Sequence, residues 1–271
     1  MNTDFDRPAV VLVVSAHDPS GGAGLQADIE TITALGARCA TLISATTAQN
    51  TAGFESIVPR PVAGLLREAE LLLSDLRFSA CKIGLLGSLE IVKGVAAIMR
   101  RLHGIPLVVD PVSHAGAGNW SLTPEIIRGI GEILAPLATI ITPNCREARE
   151  LSGEDDLGLA AAALLELGAG SVLITAADEP RGRNSDVVTH RLYRADSAPV
   201  EFSFPRLPNR YHGSGCTLSS AVAARLARNA SVEQAVKQAL EYTWATLERG
   251  VLIGRGQWHP DRFHAHTGAR E

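Results

Sequence analysis

The sequence predicts an α/β fold with a mostly parallel central sheet and helices on both of its faces. Three observations carry that expectation. Short runs rich in β-branched residues recur along the 271 residues. Stretches of helical spacing separate the first five of these runs, as in βαβ units. The runs are also apolar almost throughout, the pattern of strands buried on both faces.

The elements follow in order. AVVLVVS (9–15) reads as the first strand, and AHDPSGGAGLQAD (16–28) follows it, with Asp18-Pro19 and then Gly21, Gly22 and Gly24 opening a helix. Glycines there let main chain come close to a ligand. The spacing is not G-x-G-x-x-G, and no ribose-binding acid follows a second strand, which argues against a nicotinamide cofactor. CATLISAT (39–46) is the second strand, and the loop TTAQNTAG (46–53) after it packs Gln49, Asn50 and Thr51 together. Gln49 offers donor and acceptor to a heteroaromatic edge, or it sits in a solvated turn. Leu65, Leu66, Ala69, Leu72 and Leu73 mark a helix before the strand ACKIGLL (80–86); Ile91, Val95, Ile98 and Met99 mark another before PLVVD (106–110). DPVSHAGAG (110–118) ends that strand in an acid and a rigid proline. ATIIT (138–142) leads into TPNCREARE, where Asn144 and Glu147 share the face of a helix start. They are oxygen ligands suited to hydrated Mg²⁺, or partners in a helix cap. SVLIT (171–175) is the sixth strand. Residues 181–206 read as a loop and a hairpin turning at Asp196–Ser197, before helices at about 215–229 and 232–248 and a polar tail.

No repeat, linker or composition break divides the chain, so one domain over 1–271 is expected, with 1–8 and 259–271 as flexible tails. The net charge of −4, without a basic cluster, excludes a nucleic-acid backbone as partner. Cys39, Cys81, Cys145 and Cys216 form no C-x-x-C pair, so neither a zinc knuckle nor a disulfide framework is suggested, and a reducing cytosol fits. The start of the chain is polar and acidic, and its longest apolar runs are too short to span a bilayer, so a soluble, cytoplasmic protein with no membrane partner is expected.

HGSGCTLSSAVAARLA (212–227) sets Gly213, Ser214 and Gly215 directly before Cys216 and an apolar helix. A helix start presents unpaired N–H groups and the positive end of the dipole, so an anion is the natural guest, and Cys216 is expected to have a lowered pKa there. The plain alternative is that Ser214 caps the helix and Cys216 fills space beside Ala221. Together with the acids after the fourth and fifth strands, these are the parts that phosphoryl transfer needs.

The ordered set HDPSGGAGLQAD, TAQNT, KIGLLGS, DPV, ITPN-x-x-E and HGSGCTLSSA resembles the ribokinase-like kinases, and within them the hydroxymethylpyrimidine/phosphomethylpyrimidine kinases of thiamine biosynthesis. The resemblance runs from about residue 9 to the tail GRGQWHPDRFHAH. It implies a three-layer ribokinase-like fold, a homodimer, and the use of ATP with Mg²⁺ to phosphorylate a hydroxymethylpyrimidine and then its monophosphate. It also implies site residues: Gln49 on the pyrimidine edge, with Asp18, Ala23, Leu85 and Val112 around the ring. Asp110, Asn144, Glu147 and Thr175 fall on the nucleotide, with Asp110 and Glu147 toward the metal. Gly213, Ser214 and Gly215 make the anion hole, and Cys216 holds the position of the catalytic base.

Two departures stand out. Relatives carry a lysine in the loop after DPV, where this chain has His114-Ala115-Gly116-Ala117-Gly118. They carry K-G-G-H at the end of the sixth strand, where it has Thr175-Ala176-Ala177-Asp178. The chain holds only three lysines, Lys82, Lys93 and Lys237, so Arg146, Arg181 or Arg183 is the expected replacement for the lost charge. The losses keep two alternatives open, a pyridoxal or pyridoxine kinase of the same fold and a catalytically weak pyrimidine binder. His259, His264 and His266 fit no defined metal spacing and are expected in an exposed terminal segment. Tyr242 and Trp244 are expected to pack the last helix, and Asp155–Asp156 to start one.

Overall fold

A computed structural model describes residues 7–115, 120–177 and 186–265. Nine strands form one sheet: β1 (Val10–His17), β2 (Arg38–Gln49), β3 (Phe54–Pro59), β4 (Ala80–Ile83), β5 (Leu107–Val109), β8 (Ile140–Ile141), β9 (Val172–Ile174), β10 (Val187–Tyr193) and β11 (Val200–Pro205). Two more, β6 (His114–Ala115) and β7 (Trp120–Ser121), pair as a small antiparallel ladder. The order across the large sheet is β11-β10-β9-β8-β5-β4-β1-β2-β3. From β2 through β9 neighbours run parallel; β3 at one edge and the β10–β11 hairpin at the other are antiparallel.

Alternation along the strands builds two cores. Leu12 and Val14 of β1 face one side, against α2 (Val62–Asp75), α3 (Leu89–Arg101), α4 (Pro124–Gly129), α5 (Cys145–Ser152) and α6 (Leu157–Glu166). Val11 and Val13 face the other, against α1 (Gly24–Ala34), α7 (Ser214–Leu226) and α8 (Val232–Glu248). Burying each such side chain contributes about 1.5–3 kcal/mol, so the helices are held to both faces as the apolar strands require. Chain order reverses around β1, whose neighbours are β2 and β4. Such a switch point opens a crevice beyond the carboxyl ends of the strands.

Local chemistry explains the helix starts. Ser88 and Ser231 cap α3 and α8, and Asp156 accepts from Gly158 and Leu159 at 2.8 and 3.0 Å to begin α6. Trp244 donates to the Pro205 carbonyl at 2.9 Å and Tyr242 to the Arg262 carbonyl at 2.6 Å, so both pin α8 to its surroundings. The expected hairpin turn at Asp196–Ser197 lies between β10 and β11, with Asp196 at a φ of 55°. The sequence reading misses β3, an edge strand whose Glu55, Ser56 and Pro59 interrupt any apolar pattern.

The far end of the chain differs from the flexible tail expected from 259 onward. His259 and Arg262 are 6% and 3% exposed. His259 exchanges backbone hydrogen bonds with Val251, and Asp261 donates to the Thr246 carbonyl. His266 lies outside the described residues, as do residues 1–6 of the other expected tail. Among the described residues no helix is long and apolar enough to cross a membrane.

Candidate active site

The crevice gathers the loops after β1, β2, β4, β5, β8 and β9 together with the start of α7. In the first loop Asp18 is turned inward. Its Oδ1 accepts from the Ser20 amide and hydroxyl, both at 2.8 Å, and its Oδ2 from the Ala23 amide at 2.9 Å. Oδ2 also bonds Nε2 of His212 at 2.7 Å. Burial opposes the carboxylate charge, yet the His212 bond and charge and the Ser20 donors outweigh it, holding the Asp18 pKa at about 2. Asp18 and Ala23, the pair expected beside a substrate ring, are joined to each other at the glycine loop ahead of α1.

The second glycine turn meets the first. Gly213 caps α7 from the left-handed region, at a φ of 76°, and a Cβ there would collide with the Gly22 carbonyl. Only glycine fits that approach. Ser214 is the first helical residue, so it is not the cap that the plain reading assigns to it. Gly215 is exposed and Cys216 partly buried, and the amides of this first turn have no partner within the helix.

Beneath the turn lies a buried charge network. Lys82 has 0% side-chain exposure, with Nζ 2.8 Å from Asp28 and 3.7 Å from Asp110. Ser220 donates to Asp28 at 2.6 Å and Ser219 to Asp110 at 3.0 Å. Cys216 stands above this network, close enough for Lys82, Asp110 and Asp28 to act on its thiol. Burial pushes the Asp110 carboxyl above the usual carboxylate range against the pull of Lys82. For Cys216 the expectation of a lowered pKa is reversed. Loss of water around the sulfur pushes the thiol up to about 12; Lys82 acts against this, while Asp110 and Asp28 add to it. A helix dipole is worth about half a charge at the terminus, which two nearby carboxylates and desolvation outweigh.

At the start of α5 the helix cap is realised in full. The Asn144 side chain accepts from the Glu147 amide at 2.8 Å, and Glu147 Oε2 from the Asn144 amide at 2.9 Å. Glu147 Oε1 takes the Ser113 amide at 3.2 Å, tying in the loop after Asp110. Thr175 bridges Asn144 across the strand ends, and its amide donates to Pro143 at 2.9 Å. Ser113 donates to Glu150 at 2.8 Å, while Arg146 Nε and His114 Nε2 lie 3.0 and 3.4 Å from the other Glu150 oxygen. Arg181 and Arg183, like 116–118 and Asp178, lie outside the described residues.

Gln49 ends β2 on an open cavity of about 500 Å³ that Pro19, Asn50 and Phe54 also line. Its amide nitrogen donates to Thr47 at 2.9 Å, and its buried Oε1 has no hydrogen-bond partner. Leu85 after β4 is buried, and Val112 after β5 half-buried, at the same edge of the sheet. Sequence reasoning misses His212, Asp28, Ser219, Ser220 and Arg262. A lysine inside the apolar run ACKIGLL and paired serines in an apolar helix are the signals that point to part of this set; Arg262 has none.

The chain matches the family described as phosphomethylpyrimidine kinase over residues 18–261. It is 37% identical to a hydroxymethylpyrimidine/phosphomethylpyrimidine kinase of Streptomyces coelicolor over 255 residues, 92% of each chain. The fold is similar to that of a Bacillus subtilis pyridoxal kinase solved as an ADP complex, with a TM-score of 0.88 and 27% identity, covering 96% of this chain and 99% of that one. It is also similar to the phosphomethylpyrimidine kinase of Clostridium difficile, with a TM-score of 0.75 and 30% identity over 88% of this chain and 99% of the other.

Proposed function

The chain belongs to the phosphomethylpyrimidine kinase family, and from that premise we propose that it moves the γ-phosphoryl group of ATP to 4-amino-5-hydroxymethyl-2-methylpyrimidine and then to the monophosphate, within thiamine diphosphate biosynthesis. The open first turn of α7, capped by Gly213 against the Gly22 carbonyl and carrying Cys216 over the buried Lys82–Asp110 pair, is the observation that supports it at the level of chemistry. The bond from the acceptor oxygen to phosphorus forms as the bridge from phosphorus to ADP breaks. Charge on the transferred group falls against the amides of Ser214, Gly215 and Cys216, and Gly213 lets the turn come close.

Cys216 enters as a thiol. The acceptor hydroxyl gives its proton to Sγ while the thiol releases its own toward the neighbouring carboxylate of Asp110, whose burial raises its proton affinity. The unpartnered Oε1 of Gln49 accepts from the ring amino group, with Leu85 and Val112 against the apolar face. Asp18 and Ala23 stand around the ring, with the bond between them holding the loop in shape.

Mg²⁺ fits the donor set at the nucleotide end. Asp110, Glu147 and Asn144 supply hard oxygens of the kind that would hold hydrated Mg²⁺, with Glu147 and Asn144 fixed to each other by their cap. When bound, the ion neutralises phosphate charge. Thr175, beside Asn144, extends this end toward the nucleotide. The family likeness also extends the reading to a single kinase domain and a homodimer in the cytoplasm, where four free cysteines suit a reducing milieu.

The likeness to pyridoxal kinase favours a second reading, with pyridoxal as acceptor. Mass spectrometry of products from the protein with Mg-ATP and each alcohol separates the two. Pyrimidine mono- and diphosphate are expected, falling about 10²–10⁴-fold in Cys216→Ala. Phosphorylation of pyridoxal alone overturns the pyrimidine reading, and turnover that survives in Cys216→Ala removes the thiol from the mechanism.

A further inference from the structure

Arg262 sits 3% exposed in a segment fixed to α8 through its carbonyl, which accepts from Tyr242. Its guanidinium reaches both glycine loops at once. Nε donates to Thr217 Oγ1 at 3.0 Å, Nη1 to Glu30 at 2.9 Å and to the Gly21 carbonyl at 3.5 Å, and Nη2 to the Gly22 carbonyl. Thr217, next to Cys216, passes the connection on by donating to the Gly213 carbonyl at 2.9 Å.

Glycines give these loops close approach but no stiffness of their own. Their separation must be set from outside. Asp18 and His212 tie the loops on one side at 2.7 Å, and Arg262 ties them on the other. A planar fork with fixed donor directions holds three elements in register in a way that a flexible ammonium does not.

We propose that Arg262 is a positioning residue for phosphoryl transfer, fixing the Gly213–Cys216 turn against the 18–24 loop so that the turn amides meet the transferred group. The inference rests on the kinase reading. The bland alternative is that Arg262 only docks the end of the chain.

The two separate in Arg262→Ala, assayed well below its melting temperature. A shift of the turn by about 1 Å costs about a hundredfold, so kcat falls by that order, while KM for the pyrimidine stays within about threefold. Inorganic phosphate gives a readout besides turnover: bound at the turn it protects the parent protein against thermal unfolding, and that protection is lost in the variant. A lowered melting temperature with kcat and phosphate protection retained overturns the proposal. Should Arg262→Ala fail to fold, Arg262→Lys keeps one cation near Glu30 but cannot span Thr217 and both carbonyls. It is expected to lose about tenfold or more in kcat, and parental kcat and protection in Arg262→Lys likewise overturn the proposal. Absence of any phosphorylated pyrimidine from the parent protein counts against the kinase reading alone, because the phosphate arm still reports on the turn.

Discussion

The two ends of the site hold their charges in opposite ways. Under the α7 turn, the Lys82, Asp28 and Asp110 side chains are 0–5% exposed and bound by two serines. At the start of α5, the Arg146–Glu150 pair stands 56% and 28% exposed and couples neighbours one turn apart. Desolvated charges must be matched, so the first end is rigid by necessity; solvated ones are screened and adjust at little cost. In the proposed reaction the rigid end is the one that meets the transferred group, where small displacements matter most.

The largest test of this contrast is Lys82→Met. It strands Asp28 and Asp110 without their cation, and urea unfolding is expected to show a loss of about 3–5 kcal/mol. Lys82→Met combined with Asp28→Asn removes both members of the closest pair and recovers most of that loss, since neutral replacement of a buried pair is often tolerated. Equal losses in the single and the double variant would show that Lys82 and Asp28 are not energetically coupled, and the contrast between the two ends would fail.

Much of the fold was legible because it is written in local pattern. Val11 and Val13 against Leu12 and Val14 divide two cores within a single run, and Asn144 with Glu147 spells its own cap. What was not legible is what distance along the chain conceals. Lys82 meets Asp28 across 54 residues and His212 meets Asp18 across 194. The Cys216 expectation fails from the same source: its position at a helix start is local, but the burial that raises its pKa, and the carboxylates of Asp110 after β5 and Asp28 in α1 that add to it, come from distant segments. Arg262 was hidden by polar composition, which reads as a tail until the partners Thr217 and Gly22 are known.

The Asp18–His212 tie gives the middle-sized effect, visible as acid sensitivity. The Asp18 carboxyl falls from 3.8 to about 2 on folding, so its contribution is fully present above the unfolded value and is lost as pH drops through that interval. That contribution amounts to about 2 kcal/mol, with about half of it gone by pH 3. The stability gap between the parent protein and Asp18→Asn is therefore expected to narrow from pH 5 to pH 3 in urea titrations. A constant gap would mean that the tie carries no charge preference.

The smallest effect belongs to the exposed end. Arg146→Ala removes a solvated i,i+4 pair and should change stability by less than about 0.5 kcal/mol. Ser113 still bonds Glu150, and His114 still lies beside it. Arg146 nevertheless stands one turn from Glu150 at the proposed nucleotide end of a chain that lacks both expected lysines, and it is 56% exposed there. Its loss should raise KM for ATP about two- to threefold, the scale of one screened charge contact. An unchanged KM would take Arg146 out of the set of stand-in cations and shift that role to Arg181 and Arg183. The exposed end would then hold its loop through Glu147 and Glu150, with no part for the Arg146 charge, leaving the two ends of the site different in purpose as well as in dielectric.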